Sequence, residues 1–319
     1  MIMKKKFISI KKLSIYFILL VYTLNIIKVS ANEKLNVLTS TLTIKSIVES
    51  LAGDKIHLDS IINGPRDPHY ISPKPSYMLK AKKADLFIFV GMDLEVGWLS
   101  GIIKGSRNPK VQKNQMGYLD LSQFIEPLSV PKGKVDRFFG DIHPFGNPHY
   151  LLDPIRAIQV AQGIVQRLMK IDPKNESYYL ERVKEFEKNI KEKTTLWNER
   201  IKKTAVKNIV TYHSSFEYFL DRFQLKLAGL IEEKPGIPPS AKHVLSLIKQ
   251  MRENKYSCVL MSSFYENNKI NKIKKTIPVH IETVAIEVGA LKSVTNYIML
   301  IEDIVKAIEN CGKFKQTGN

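Results

Sequence analysis

Short β-type runs and amphipathic helical runs alternate through this chain twice over, and one long charged stretch separates the two series. Such alternation constrains the fold strongly. Parallel strands need a crossover long enough to hold a helix, so the pattern implies parallel sheets with helices on their faces. In the first series Leu35–Ser40 reads as a strand. Ile44, Ile47, Val48 and Leu51 then mark one face of a helix stopped by Gly53. Ile56–Ile62 is a second strand, closed by Asn63-Gly64-Pro65. Helices Ser76–Lys83 and Leu94–Lys104 flank the apolar strand Leu86–Val90, and a further helix runs from Pro154 to Met169. The second series holds strands Ile209–Tyr212, Leu225–Leu230, Cys258–Met261 and Val279–Ala285. Between and after them come helices Ser214–Phe223, Ala241–Glu253 with Ser240 as N-cap, and Val294–Asn310.

Lys174–Lys203 separates the series, with apolar residues at Tyr179, Leu180, Val183, Phe186, Ile190, Leu196 and Ile201. As a helix it spans about 45 Å, more than one small domain needs. The expected fold class is therefore α/β: two α/β lobes, each a mainly parallel sheet flanked by helices, joined by one long helix. The N-terminal lobe is placed at 32–173, the linking helix at 174–203 and the C-terminal lobe at 204–319. A cleft between two such lobes is a natural ligand site. Residues 126–148 carry Pro127, Pro131, Gly133, Gly140, Pro144, Gly146 and Pro148 and read as a long functional loop.

The first 31 residues stand outside this pattern. They hold Lys4, Lys5, Lys6, Lys11, Lys12 and Lys28 and no acid, then an apolar run from Leu13 to Ile27 and a small-residue end at Val29-Ser30-Ala31. This is the form of a secretory signal peptide cleaved after Ala31; an uncleaved membrane anchor is the alternative, disfavoured by the short, interrupted run. No cysteine lies near the cleavage site, so the expectation is a periplasmic protein without a lipid anchor. Its removal lowers the net charge from +18 to +12. The remaining lysines are interleaved with acids, as in Glu181–Lys203, which marks a solvated helix face. With export expected and no nucleic-acid motif in the chain, nucleic acid is excluded as a partner.

Three of seven histidines share one kind of setting. His69 lies in Arg66-Asp67-Pro68-His69-Tyr70, after the second strand. His149 lies in Gly146-Asn147-Pro148-His149-Tyr150, and His213 in Thr211-Tyr212-His213-Ser214, where a strand gives way to a helix. His69 and His213 sit at carboxyl ends of strands, where open α/β sheets place ligands, one in each lobe. Prolines before His69 and His149 fix the local chain. Three converging imidazoles would make a zinc-type site with one open position, but spacing alone does not show convergence. His57, His243 and His280 lie in strand or helix patterns with nothing to distinguish them; His143 lies in the long loop.

At these residues the sequence resembles the metal-binding subfamily of ABC-transporter solute-binding proteins, the zinc and manganese receptors. Gly53-Asp54-Lys55 and Asp67-Pro68-His69 look like the family's opening metal motif. Ser76 through Ala84-Asp85-Leu86, with Gly91, Glu95 and Trp98-Leu99, resembles the stretch that follows. Asn147-Pro148-His149-Tyr150 with Leu152-Asp153-Pro154 resembles the second motif, and Tyr212-His213 with Phe216 and Phe219 the third. Pro239-Ser240-Ala241 and the Phe264–Glu266 segment also match. The resemblance implies a rigid helix between the lobes and a metal in the interlobe cleft, held by His69, His149 and His213. It also implies a monomeric receptor that delivers its ion to a membrane permease driven by a cytoplasmic ATPase. Where many members carry an Asp as fourth ligand, this chain has Ile286 in Val284-Ala285-Ile286-Glu287. Glu287 is the nearest substitute, with Glu282, Glu266 or water as alternatives and His143 as an accessory contact.

Three neutral imidazoles favour zinc over manganese, which suits harder oxygen ligands. The expected function is a high-affinity zinc receptor. A manganese or iron receptor, or a metal-binding adhesin or sequestering protein, are the alternatives. A zinc hydrolase is the rival class, but there is no HExxH, and Glu217 is the one candidate general base. No phosphate loop is present, so the chain supplies no ATP-derived energy itself. Cys258 and Cys311 leave a disulfide permitted but open.

Overall fold

The computed structural model describes residues 33–133, 143–234, 236–256, 258–265, 275 and 279–314. The expected signal peptide and Glu266 lie outside them. Leu35–Thr39 (β1), Ile56–Ser60 (β2), Leu86–Phe89 (β3) and Tyr118–Asp120 (β4) form a wholly parallel sheet in the order β2-β1-β3-β4. Asn208–Thr211 (β5), Lys226–Leu230 (β6), Cys258–Ser262 (β7) and His280–Val284 (β8) form a second parallel sheet, β6-β5-β7-β8. The two orders are one winding pattern used twice. In each lobe the chain reverses its direction across the sheet beside the first strand, which opens a crevice at the carboxyl ends of the strands there. β3 and β7 are buried along their whole length, as central parallel strands covered on both faces must be.

The helices are Leu42–Ala52 (α1), Pro75–Lys83 (α2), Leu99–Ser106 (α3), Pro154–Ile171 (α4), Glu176–Lys203 (α5), Glu217–Arg222 (α6), Ala241–Glu253 (α7) and Tyr297–Lys313 (α8). Local chemistry sets their ends. Thr41 accepts the Ile44 N–H at the start of α1, and Gly53 closes it at φ 49°. Ser240 accepts the His243 N–H at the start of α7, as its sequence implied.

The linking helix α5 has 28 residues and so runs about 42 Å. Its buried residues are Tyr179, Val183, Phe186, Ile190, Trp197 and Ile201, a stripe at helical spacing. That stripe belongs to a core cluster with residues from both sheets. α5 packs on α4, α1 and α8. Trp197 Nε1 donates to Glu302 at 2.7 Å, and Arg200 pairs with Glu302 at 2.8 Å and Glu309 at 2.7 Å, so α8 is tied to the far end of α5. Leu180 and Leu196, expected on the apolar face, are 38% and 52% exposed. Each stands one position off the stripe, and Trp197 takes the core place next to Leu196.

Two expectations about elements shift. The helix expected from Leu94 begins only at Leu99. Gly91, Met92 and Asp93 all take positive φ and form a left-handed turn, and Trp98 at φ -143° is the non-helical N-cap. A Cβ at Gly91 would collide with the Asp120 carboxylate, so glycine is required there twice over. The strand β4 was not expected; three residues are too short for a period to register. Cys258 in β7 and Cys311 in α8 are joined in a disulfide, with Cα atoms 5.3 Å apart. Among the described residues, no helix is long and apolar enough to cross a membrane.

Candidate metal centre

Asp67-Pro68-His69-Tyr70 and Asn147-Pro148-His149-Tyr150 differ only in their first residue, and they fold alike. Each runs into a single 3-10 turn, Pro68–Tyr70 in one case and Tyr150–Leu152 in the other. Asp67 caps its turn directly, whereas Asn147 folds over the backbone of His149 just before its turn. Asp67 Oδ1 accepts the His69 backbone N–H at 3.0 Å and lies 2.7 Å from His69 Nδ1. Asn147 Oδ1 accepts the His149 backbone N–H at 2.9 Å and lies 2.9 Å from His149 Nδ1. Asn147 Nδ2 donates to the Ser214 carbonyl at 2.6 Å, which leaves Oδ1 as the acceptor facing the ring. An acceptor there requires the His149 proton on Nδ1, and so a lone pair on Nε2.

His213 directly follows Tyr212, at the carboxyl end of β5 and beside the crevice of its sheet. Its Nδ1 lies 2.7 Å from Glu232 Oε2. Glu232 comes just after the neighbouring strand β6. It is held there by its own N–H on the Tyr212 carbonyl at 2.8 Å and that of Ile231 on Thr211 at 2.9 Å. Buried aromatic donors fix the other two turns. Trp98 Nε1 donates to the Pro68 carbonyl at 2.8 Å, the Tyr218 hydroxyl to the Asn147 carbonyl at 2.8 Å, and the Tyr150 hydroxyl to the Val90 carbonyl at 2.7 Å.

The three rings converge. One nitrogen from each of His69, His149 and His213 lies within 4.8 Å of the other two. Ring centroids are 5.5 Å apart for His69–His149, 6.1 Å for His69–His213 and 5.7 Å for His149–His213. With every Nδ1 engaged from behind, the Nε2 atoms are the ones left to bind. His149 Nε2 is buried and has no hydrogen-bond partner, a costly state for a polar atom unless something else occupies its lone pair. Burial, reinforced by the neighbouring His69, His213 and His143, holds the His149 pKa well below that of free imidazole, so the ring is neutral at neutral pH. At Asp67 burial works to raise the pKa, but the hydrogen bond and charge of His69 outweigh it and the carboxyl lies below its usual value. Three imidazoles with second nitrogens oriented by side-chain acceptors are suited to a divalent transition metal with a position to spare.

The remaining expected site residues are placed differently. His143 Nε2 lies 3.2 Å from His69 Nε2 but is not in the group of three. Glu287 lines an apolar cavity with His69, His149, Val90, Leu94 and Ile286. It too stands outside the group, and its carboxylate accepts from the Thr43 hydroxyl at the start of α1. Burial, opposed by hydrogen bonds from Thr43 and Thr41, pushes its pKa up to about 7. Glu282 pairs with His280 along β8. Glu217, the candidate base, accepts from the Ser129 hydroxyl. Sequence reasoning did not assign roles to Asp67, Asn147 or Glu232. The first two carried a signal, an Asp or Asn two residues before each histidine. Glu232 carried none, being brought to His213 only by strand pairing.

Comparison with known proteins gives a consistent set of similarities. The profile of the family described as zinc-uptake complex component A, periplasmic, matches residues 37–311. A metal ABC transporter substrate-binding lipoprotein of Streptococcus mutans is 28% identical over 281 residues, covering 83% of this chain and 86% of that protein. A manganese ABC transporter substrate-binding lipoprotein of Streptococcus gordonii is 29% identical over 272 residues, covering 79% of this chain and 80% of the other. The crystal structure of a zinc-bound ZnuA deletion mutant matches the fold with a TM-score of 0.73 at 18% identity, covering 89% of this chain and all of that one. The names of the streptococcal relatives correct one expectation. They are lipoproteins, held at a membrane by acyl chains, and a protein freed into the periplasm by cleavage after Ala31 with no lipid anchor does not stand against them.

Proposed function

Because this chain belongs to the family of zinc-uptake complex component A proteins, we propose that it is the metal receptor of an ABC importer and that its preferred cargo is zinc. One observation carries the reading: three imidazoles from separate parts of the chain converge, each with Nδ1 engaged, and a buried His149 Nε2 has no partner. His69, His149 and His213 hold the ion through Nε2. Water takes the fourth position, since Glu287 is drawn to Thr43. The lobe division at 32–173, 174–203 and 204–319 makes the site an interlobe one, with the α5 helix limiting how far the lobes move. The loaded receptor docks on a membrane permease, and a partner ATPase supplies the energy.

Manganese is the second reading, favoured by Glu287 on the cavity wall and by the relatives named for manganese. Nitrogen ligands and the Irving–Williams order argue for zinc. Competitive loading of the metal-stripped protein at equal free zinc and manganese, followed by elemental analysis, separates the two. Zinc retained in about one equivalent supports the proposal; preferential manganese retention overturns it. Glu287→Gln should leave zinc affinity within about threefold, because a water ligand does not depend on it; a loss of about tenfold or more would make Glu287 the ligand.

A further inference from the structure

Behind the three imidazoles stand two carboxylates and one amide. Asp67 lies 2.7 Å from His69 Nδ1, Glu232 2.7 Å from His213 Nδ1, and Asn147 2.9 Å from His149 Nδ1. Glu232 is only 5% exposed and its carboxylate is directed at the histidine. Burying a carboxylate is expensive unless a charge or a strong donor answers it. A neutral N–H answers it partly; a cation on the far side of the same ring answers it fully, by polarising that N–H.

We propose that Asp67 and Glu232 are positioning residues that also neutralise the bound ion, cancelling its two positive charges from behind His69 and His213. The assignment rests on the metal-receptor reading above. Three neutral ligands leave a divalent ion's charge intact inside a partly buried site, where Coulomb terms are large. Two carboxylates one ring away remove it without entering the coordination sphere. The inner set then stays nitrogen-rich, which is the donor set that favours zinc, and no inner carboxylate is needed. Asn147 does the same orienting work at His149 without adding a third charge.

Asp67→Asn and Glu232→Gln keep an acceptor oxygen in nearly the same place and remove the charge. The full chain and both variants are stripped of metal. Zinc affinity is then measured by competition with a chromophoric chelator, cobalt(II) spectra report the ligand geometry, and urea unfolding reports the metal-free stability. Each variant should bind zinc about 10- to 100-fold more weakly. The cobalt spectrum should keep its ligand-field bands, and the metal-free stability should not fall. Zinc affinities within about threefold of the parent in both variants overturn the assignment. So does a loss of affinity that comes with altered cobalt bands or equal loss of metal-free stability, since that is structural bracing. A parent chain that takes up neither zinc nor cobalt removes the receptor reading itself, and this assignment with it.

Discussion

Glu95 is a carboxylate the site does not use as a donor. It is 1% exposed and accepts the N–H groups of Val90 at 2.8 Å and Gly91 at 3.0 Å, bracing the left-handed turn before α3. Burial pushes its pKa up to about 7, against the hydrogen bonds that favour the charged form. The unfolded chain titrates the same group near 4.5, so the folded state binds the proton more tightly. Stability contributed by the protonated group is full below about pH 4.5 and is lost as pH rises through about 7. The metal-free protein should therefore lose on the order of 3 kcal/mol between pH 5 and 8 that a Glu95→Gln variant keeps. Urea unfolding at the two pH values measures this, and parallel profiles for the two proteins would refute it. At this same scale Asp67 and Asn147 were not assigned a role from sequence, although an Asp or Asn two residues before each histidine was a usable signal. Glu232 carried no such signal, because 19 residues and a strand pairing separate it from His213.

Among the elements, α4 and α6 are joined through one side chain. Asp153 caps α4 by accepting the Ile155 N–H at 2.8 Å. It also receives Arg222 of α6 through two bonds at 2.7 and 2.9 Å, and Arg156 at 2.6 Å. Its side chain is fully buried. The helix that follows His149 is thus latched to the helix that follows His213. Asp153→Ala removes the cap, takes both bonds from Arg222 and leaves Arg156 only the longer pair with Asp221 at 3.8 Å, and should cost about 3–5 kcal/mol of unfolding free energy. A loss under about 1 kcal/mol in urea would mean the pair behaves as a surface bridge. Element boundaries were read well where chemistry marks them. Gly53 and Ser240 ended and began helices as their residue types imply. The start of α3 was misread because Leu94 continues the apolar spacing, while Trp98 at φ -143° holds the backbone out of a helix until Leu99.

For the whole molecule, the repeated order β2-β1-β3-β4 and β6-β5-β7-β8 brings the carboxyl-end loops of two sheets to one group of histidines. Alternation and the long charged helix made the two lobes readable from sequence. The convergence of His69, His149 and His213 was not readable from spacing, because it depends on contacts over more than sixty positions of chain; only the family resemblance implied it. Binding only to the folded state couples metal to stability. Zinc at a hundredfold excess over its dissociation constant should raise the unfolding free energy by about 2.7 kcal/mol, and His149→Ala should abolish the increase. An equal increase in that variant, measured by thermal or urea unfolding, would place zinc elsewhere.

The most direct test is a crystal structure of the chain grown with equal zinc and manganese and recorded at both absorption edges. A single anomalous peak at the zinc edge, about 2.0–2.1 Å from Nε2 of His69, His149 and His213, is the predicted result. A peak that persists at the manganese edge, or no peak among these three rings, would contradict it.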